Sequence, residues 1–259
     1  MTNKPLEYES IINKVKIKKN DKILLSADIT QLLIYCKKNN KIFDANDFLN
    51  SIINKIGNDG TLILPTFNFD FCKGKTYDYI KTIPITGHLA KIALLRKDFK
   101  RTLHPIHSFA VWGRDKNYLC NLKNLSSFGS DSPFAYMHKE SVKNFVVGGD
   151  YKLWLTIDHY CEETVGVDYR FLKNFKSSYI EDNKSKKLKT YQMYVRKNPE
   201  LSIETGISSE LDNILKSKNE YFKYKMFDTN FFLLNLKIIA NIMINDIGKD
   251  QKIVFLRKK

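Results

Sequence analysis

Apolar residues first fall at helical spacing between Tyr8 and Lys18, where Ile11, Ile12 and Val15 share one face. A short apolar run from Lys22 to Ala27 follows and suits a buried strand. Between Asp44 and Lys55, Phe48, Leu49, Ile52 and Ile53 line one side of a second helix, which Gly57 ends. The turn signal Asn58-Asp59-Gly60 leads into a strand from Thr61 to Pro65. From Phe67 to Pro84 the pattern becomes aromatic and irregular, which predicts a long loop over the end of a sheet. Helical spacing returns from Gly87 to Leu95, and the bounded apolar runs Phe109 to Gly113 and Asn144 to Gly148 predict two further buried strands. After Arg170 the periodicity weakens. Lys173 to Lys189 is polar, Tyr191 to Val195 reads as a strand, Glu210 to Lys216 as a short helix, and Phe231 to Ile244 as one strongly apolar helix. Strands and helices alternate without an internal repeat or a Gly/Ser/Pro linker, so the expectation is a single α/β domain over residues 1–259.

Composition narrows the class of protein. At 43% hydrophobic residues the chain can bury one substantial core, yet no stretch approaches the roughly 18 apolar residues of a membrane span. The opening MTNKPLEYES carries no apolar segment before a cleavage site, which makes the cytoplasm the default expectation. Cys36, Cys72, Cys120 and Cys161 are widely spaced and form no CxxC pair, so they read as reduced thiols. The formal net charge of +15, from 43 Lys and Arg against 28 Asp and Glu, predicts an anionic partner. The basic residues are scattered and show no zinc-finger or RNP signature, so a phosphorylated small molecule fits as well as nucleic acid, and a solvated lysine surface fits equally.

Three clusters carry candidate chemistry. In Thr156-Ile157-Asp158-His159-Tyr160-Cys161-Glu162-Glu163, a helix would put His159 and Glu162 on one face, with Thr156 as N-cap. A carboxylate there fixes one imidazole tautomer and raises its basicity, as a general base near neutral pH requires, although spacing alone favours a solvated surface pair. Cys161 diverges from both neighbours on a helix, which argues against an adjacent Cys/His dyad. In Arg101-Thr102-Leu103-His104-Pro105-Ile106-His107-Ser108, Pro105 forces His104 into extended geometry, giving a rigid polar loop before a strand. His104 and His107 have no carboxylate or cysteine at ligand spacing, so no metal is expected. Phe128-Gly129-Ser130-Asp131-Ser132-Pro133-Phe134 is a hydroxyl-rich turn suited to contacts with phosphate or pantetheine.

Taken in order, these clusters resemble the aminoglycoside 3-N-acetyltransferase family. Its Arg-Ser-x-His-Pro-x-x-Ser segment is matched by Arg101, Thr102, His104, Pro105 and Ser108, with Gly113 beyond. Its Gly-x-x-Ser-Pro turn is matched by Gly129, Ser132 and Pro133, and its Thr-x-x-His-x-x-Glu motif by Thr156, His159 and Glu162. Gly60-Thr61-Leu62, Pro65-Thr66-Phe67 and Thr86-Gly87-x-Leu89 extend the likeness over roughly residues 8 to 170. The family's Val-His-Ser-Ser-Leu is here Leu25-Ser26-Ala27-Asp28-Ile29, a departure that suggests a changed acceptor pocket.

The resemblance implies a central mixed β-sheet flanked by helices and direct N-acetyl transfer from acetyl-CoA, with no metal. His159 would be the general base with Glu162 as its catalytic partner. Acetyl-CoA would lie against Arg101, Thr102, His104, Pro105, His107, Ser108, Phe128, Ser130 and Ser132. Apart from the resemblance, Asp28, Phe67 and Asp158 are candidates to face the acceptor, with a capping or surface role equally open for the two acids. A homodimer is compatible with it, and nucleic acid is not expected as a partner. Because a +15 chain repels polycations, the charge favours a nucleotide-linked amino sugar used for surface polysaccharide over an aminoglycoside antibiotic, which stands as the alternative acceptor. A nucleic-acid-binding protein is the alternative of another class. So is a hydrolase with Ser108 or Cys161 as nucleophile, although no Gly-x-Ser-x-Gly elbow is present.

Overall fold

A computed structural model describes residues 4–181, 185–197, 203–249 and 253–258. Seven strands form the central sheet: β1 (Lys22–Ala27), β2 (Thr61–Pro65), β3 (Lys100–Arg101), β4 (Phe109–Gly113), β5 (Lys143–Val147), β6 (Phe222–Met226) and β7 (Thr229–Asn235). Their spatial order is β6-β7-β5-β1-β2-β4-β3. The three central strands β5, β1 and β2 are parallel, and each flank is antiparallel, so the sheet is mixed as expected.

Side-chain alternation along these strands sorts the core into two layers. Leu24, Ile63, Val111, Val146, Phe232 and Leu234 point to one face. Ile23, Leu25, Leu62, Leu64, Phe145, Val147, Phe231 and Leu233 point to the other. The first face is covered by helices Pro133–Lys139, Ile157–Val165 and Leu236–Ile247, the second by Tyr8–Lys14, Ala45–Ile56 and His88–Leu95. Helix Ala45–Ile56 shows why this happens locally: Asp44 accepts hydrogen bonds from the Asn46 and Asp47 amides, and Gly57 leaves the helix at φ 69°. No helix among the described residues is long and apolar enough to cross a membrane.

Two expectations need correction. The apolar run from Phe231 to Ile244 is not one helix: it is β7, then helix Leu236–Ile247. Phe231 to Leu234 are buried on both faces of the sheet, which makes a strand look continuously apolar. Asn235 makes the break by accepting from the Lys237 and Ile238 amides as N-cap. The polar stretch after Arg170 is a regular antiparallel hairpin, Arg170–Ile180 paired with Lys187–Arg196. Its outward lysines hide the alternation, while Ser177, Tyr179 and Tyr194 point inward. Tyr77–Asp78, from the long loop after β2, pairs with the Tyr179 end of this hairpin, and Phe71, Tyr77, Ile106 and Tyr179 pack as a small third core.

Removing the cap at the strand-to-helix switch should destabilise the fold measurably. Asn235→Ala is expected to cost about 1 kcal/mol, read as a lower midpoint in urea unfolding with an unchanged slope.

Candidate active site

The chain leaves β5 through Gly148 and Gly149, at φ 80° and 61°. A Cβ on Gly148 would sit 2.2 Å from the Asp28 carbonyl oxygen, so only glycine lets this turn tuck under the end of β1. The short turn Tyr151–Trp154 then delivers helix Ile157–Val165 to the carboxyl ends of the parallel strands, where open α/β sheets place their ligands.

On that helix the His159 and Glu162 side chains meet, with Nδ1 2.9 Å from Oε2. The Glu162 carboxylate is 1% exposed, and such a charge survives only if it is paired and hydrogen-bonded. Tyr169 donates its hydroxyl to Oε1 at 3.0 Å. Arg170 Nε lies 2.8 Å from Oε2, off the hydrogen-bond axis, so that contact is an ion pair by proximity. Burial pushes the Glu162 pKa up, but the hydrogen bond from His159 and the charges of His159 and Arg170 outweigh it, and the carboxyl stays below its usual range. At His159 burial pulls the pKa down, and the Asp158 charge together with the Glu162 hydrogen bond reverses the sign, leaving the imidazole more basic than usual. With its side chain 32% exposed and Nδ1 held by Glu162, His159 has its Nε2 unpaired among the described residues. An imidazole held by Nδ1–H on a carboxylate presents a lone pair on Nε2, which is the arrangement of a general base.

The other expected residues divide into two groups. Asp158 lies beside His159, with its carboxylate 3.3 Å from Nδ1 and accepting the His159 amide at 2.7 Å; burial raises its pKa. Phe128 is buried with its ring edge-on to His159, and it also packs on His107. Phe67 packs on His107 from another side and lines a cleft at the ends of β1 and β2. Asp28 stands exposed at the end of β1 and accepts the Thr30 amide. Ser130 and Ser132 line a polar groove of about 790 Å³ with Arg114, Lys139 and Lys237, and Ser132 caps helix Pro133–Lys139.

By contrast, the polar side chains of the Arg101–Ser108 loop are buried, and most of their polar atoms are bonded internally, His104 Nε2 being the exception. Arg101 donates to the Thr82 and Thr66 carbonyls and to Ser108 Oγ. Thr102 accepts the Phe109 amide, and Ser108 bonds Thr66. His104 Nδ1 faces the Ile106 and His107 amides across the Pro105 bend, and burial takes its pKa to about 3. His107 bonds Ser127, and burial holds it well below the usual histidine range. These groups build the wall beneath the site, and Ser108 has no hydroxyl to spare for nucleophilic attack. Cys161 is likewise buried with its thiol pushed well above the usual range by burial, so it holds little thiolate. Thr156 sits at the N-cap position without a capping hydrogen bond and lines the cleft.

Tyr169 and Arg170 complete the site and carried no signal in the sequence, because they enter from the hairpin and lie off the helical face of His159.

The family model for aminoglycoside 3-N-acetyltransferase matches residues 39–244. The chain belongs to that family. It is thus an N-acetyltransferase with the mixed α/β fold that the motifs imply. Similar solved structures include the YokD protein from Bacillus subtilis, at 18% identity and TM-score 0.75 over 97% of each chain. The AAC-IIIb binary complex with CoASH matches at 12% identity and TM-score 0.77, over 93% of this chain and 95% of that one. Sisomicin-bound AAC-VIa matches at 14% identity and TM-score 0.76, over 93% and 97%. No curated protein matches the sequence.

Exchange of the buried carboxylate tests the electrostatics. Glu162→Gln removes the hydrogen-bonded charge that joins Asp158 in raising the His159 pKa and leaves Arg170, which lowers it, so the acidic limb of the kcat/KM profile should move to lower pH. The maximal rate should fall roughly tenfold or more as the tautomer is lost. A limb that does not move would separate Glu162 from His159.

Proposed function

We propose that this chain transfers an acetyl group from acetyl-CoA directly to an amine of an amino sugar, with His159 as general base and Glu162 as its positioning partner. The observation that carries this reading is the partly exposed His159 ring, bound at Nδ1 by a buried carboxylate and unpaired at Nε2 among the described residues. An acceptor ammonium must lose a proton before nitrogen can attack a thioester carbonyl. One ammonium proton is lost to solvent, Nε2 takes a second as the nitrogen attacks and the amide bond forms, and the C–S bond breaks as the departing CoA sulfur receives that proton from the imidazolium. Asp158, beside the imidazole, supports an ammonium-bearing acceptor. An oxyanion donor must face the thioester carbonyl as the tetrahedral intermediate forms. Thr156, one helical turn before His159 and without a capping hydrogen bond, takes that role in this reading.

The family, and the sisomicin bound by one similar structure, support an aminoglycoside-type acceptor. The net charge of +15 supports the second reading, an anionic nucleotide-linked amino sugar for surface polysaccharide. The first leads, because the acidic Asp158 lies at the base while the basic residues are spread along the chain.

His159→Ala should lower turnover by roughly 10²- to 10⁴-fold and leave the affinity for acetyl-CoA within a few fold, measured by thiol release and calorimetry. Full activity in that variant would refute the base assignment. Steady-state rates with sisomicin-type amines against nucleotide-linked amino sugars decide the acceptor, and a marked preference for the latter would put the anionic sugar first.

A further inference from the structure

Two carboxylates crowd the His159 ring. Asp158 Oδ1 lies 3.3 Å and Glu162 Oε2 2.9 Å from Nδ1. Negative charge so close favours the imidazolium, and a ring that already holds its second proton at neutral pH cannot act as a base. The acids that orient the ring would by themselves disable it.

Arg170 offsets that field. It is buried, and its guanidinium reaches three groups at once: Nε is 2.8 Å from Glu162 Oε2, Nη2 is 3.4 Å from His159 Nδ1, and Nη1 donates to the Tyr194 carbonyl at 3.3 Å. Because Nδ1 gives its proton to Glu162, the approach of Nη2 is no hydrogen bond, and once the ring is protonated it brings two positive charges together. With both acids ionised, the ring faces one net negative charge; without Arg170 it would face two. The other titratable groups around it do not take over this part. Tyr169 donates its hydroxyl to Glu162 Oε1, and burial keeps that phenol protonated. His107, which shares the Phe128 ring with His159, is kept neutral by burial.

The guanidinium is placed from outside the helix. Arg170 opens the hairpin strand Arg170–Ile180 opposite Arg196, and Tyr194, whose carbonyl anchors Nη1, donates its own hydroxyl to the Val167 carbonyl at 2.6 Å. We propose that Arg170 is a positioning residue of the acetyl transfer: anchored on the hairpin, it holds Glu162 against the imidazole and supplies the positive charge that keeps His159 unprotonated and able to accept a proton. This rests on the reading of His159 as general base and names the group that lets such a base work beside two acids. Charge removal at Arg170 and at Glu162 therefore acts in opposite directions on one ring.

An NMR titration of the His159 ring, its signal identified by loss in His159→Ala, reads the effect without turnover. Arg170→Gln should raise the midpoint by roughly one pH unit or more. The acidic limb of kcat/KM should follow it upward, with KM for acetyl-CoA within a few fold. Arg170→Lys, which keeps a positive charge, should recover most of the shift. Stranding Glu162 as a buried, half-paired charge can unfold the single variant, so Glu162→Gln/Arg170→Gln, which removes both charges, supplies a second measurement. Its midpoint should lie above that of Glu162→Gln alone. A merely structural role would lower stability and rate and leave the midpoints where they were. A midpoint unmoved by Arg170→Gln in the folded protein, or equal in Glu162→Gln and the double variant, overturns the proposal while the base assignment stands. A midpoint that moves while the kcat/KM limb stays put overturns the base assignment, and the part of Arg170 in transfer with it.

Discussion

A carboxylate taken out of water organises this protein's chemistry. Glu162 is buried on the first core layer, and its negative charge persists because an imidazole, a phenol and a guanidinium converge on it. Each partner comes with its own piece of structure. His159 shares the helix, while Tyr169 and Arg170 belong to the chain that enters the hairpin. The hairpin is therefore tied to the site by charge as well as by packing, since Arg170 also donates to the Tyr194 carbonyl on the opposite strand. What looks like a peripheral, lysine-rich ribbon is the support of the base.

The sheet serves this arrangement by geometry more than by contact. Parallel pairing of β5, β1 and β2 brings three carboxyl ends to one edge, and the glycine turn after β5 passes close under β1. The helix bearing His159 thus starts where the strands end. The buried histidines beneath it are neutral and serve packing: His107 is enclosed by Phe67, Phe69 and Phe128, and His104 meets the Tyr191 ring edge-on. A second titrating imidazole next to the base would repel its charged form, so their neutrality also keeps the pKa of His159 high.

Much of this could be read from the chain because the deciding signals are local. Short bounded apolar runs located the central strands and period-3.6 spacing most helices, and the i, i+3 spacing of His159 and Glu162 put the pair on one face. Where the reading failed, the reason was nonlocal. Phe231 to Leu234 are apolar because both faces of β7 are covered, which periodicity cannot separate from a buried helix. The Arg101 to Ser108 motif was legible as a motif, but its side chains turned inward, because the same residue types that bind anions also satisfy buried carbonyls. The approach of Arg170 to the His159 ring could not be foreseen, since it is a property of three-dimensional neighbours.

Arg101 shows what this inward turn means for motion. One guanidinium reaches the carbonyl after β2, the far end of the loop at Thr82 and the hydroxyl just before β4, with the Tyr77 ring beneath it. Those three points cannot separate without stranding a buried charge. The long aromatic loop is thus masonry and not a door, and whatever enters this enzyme meets a preset outline and must fit it as found.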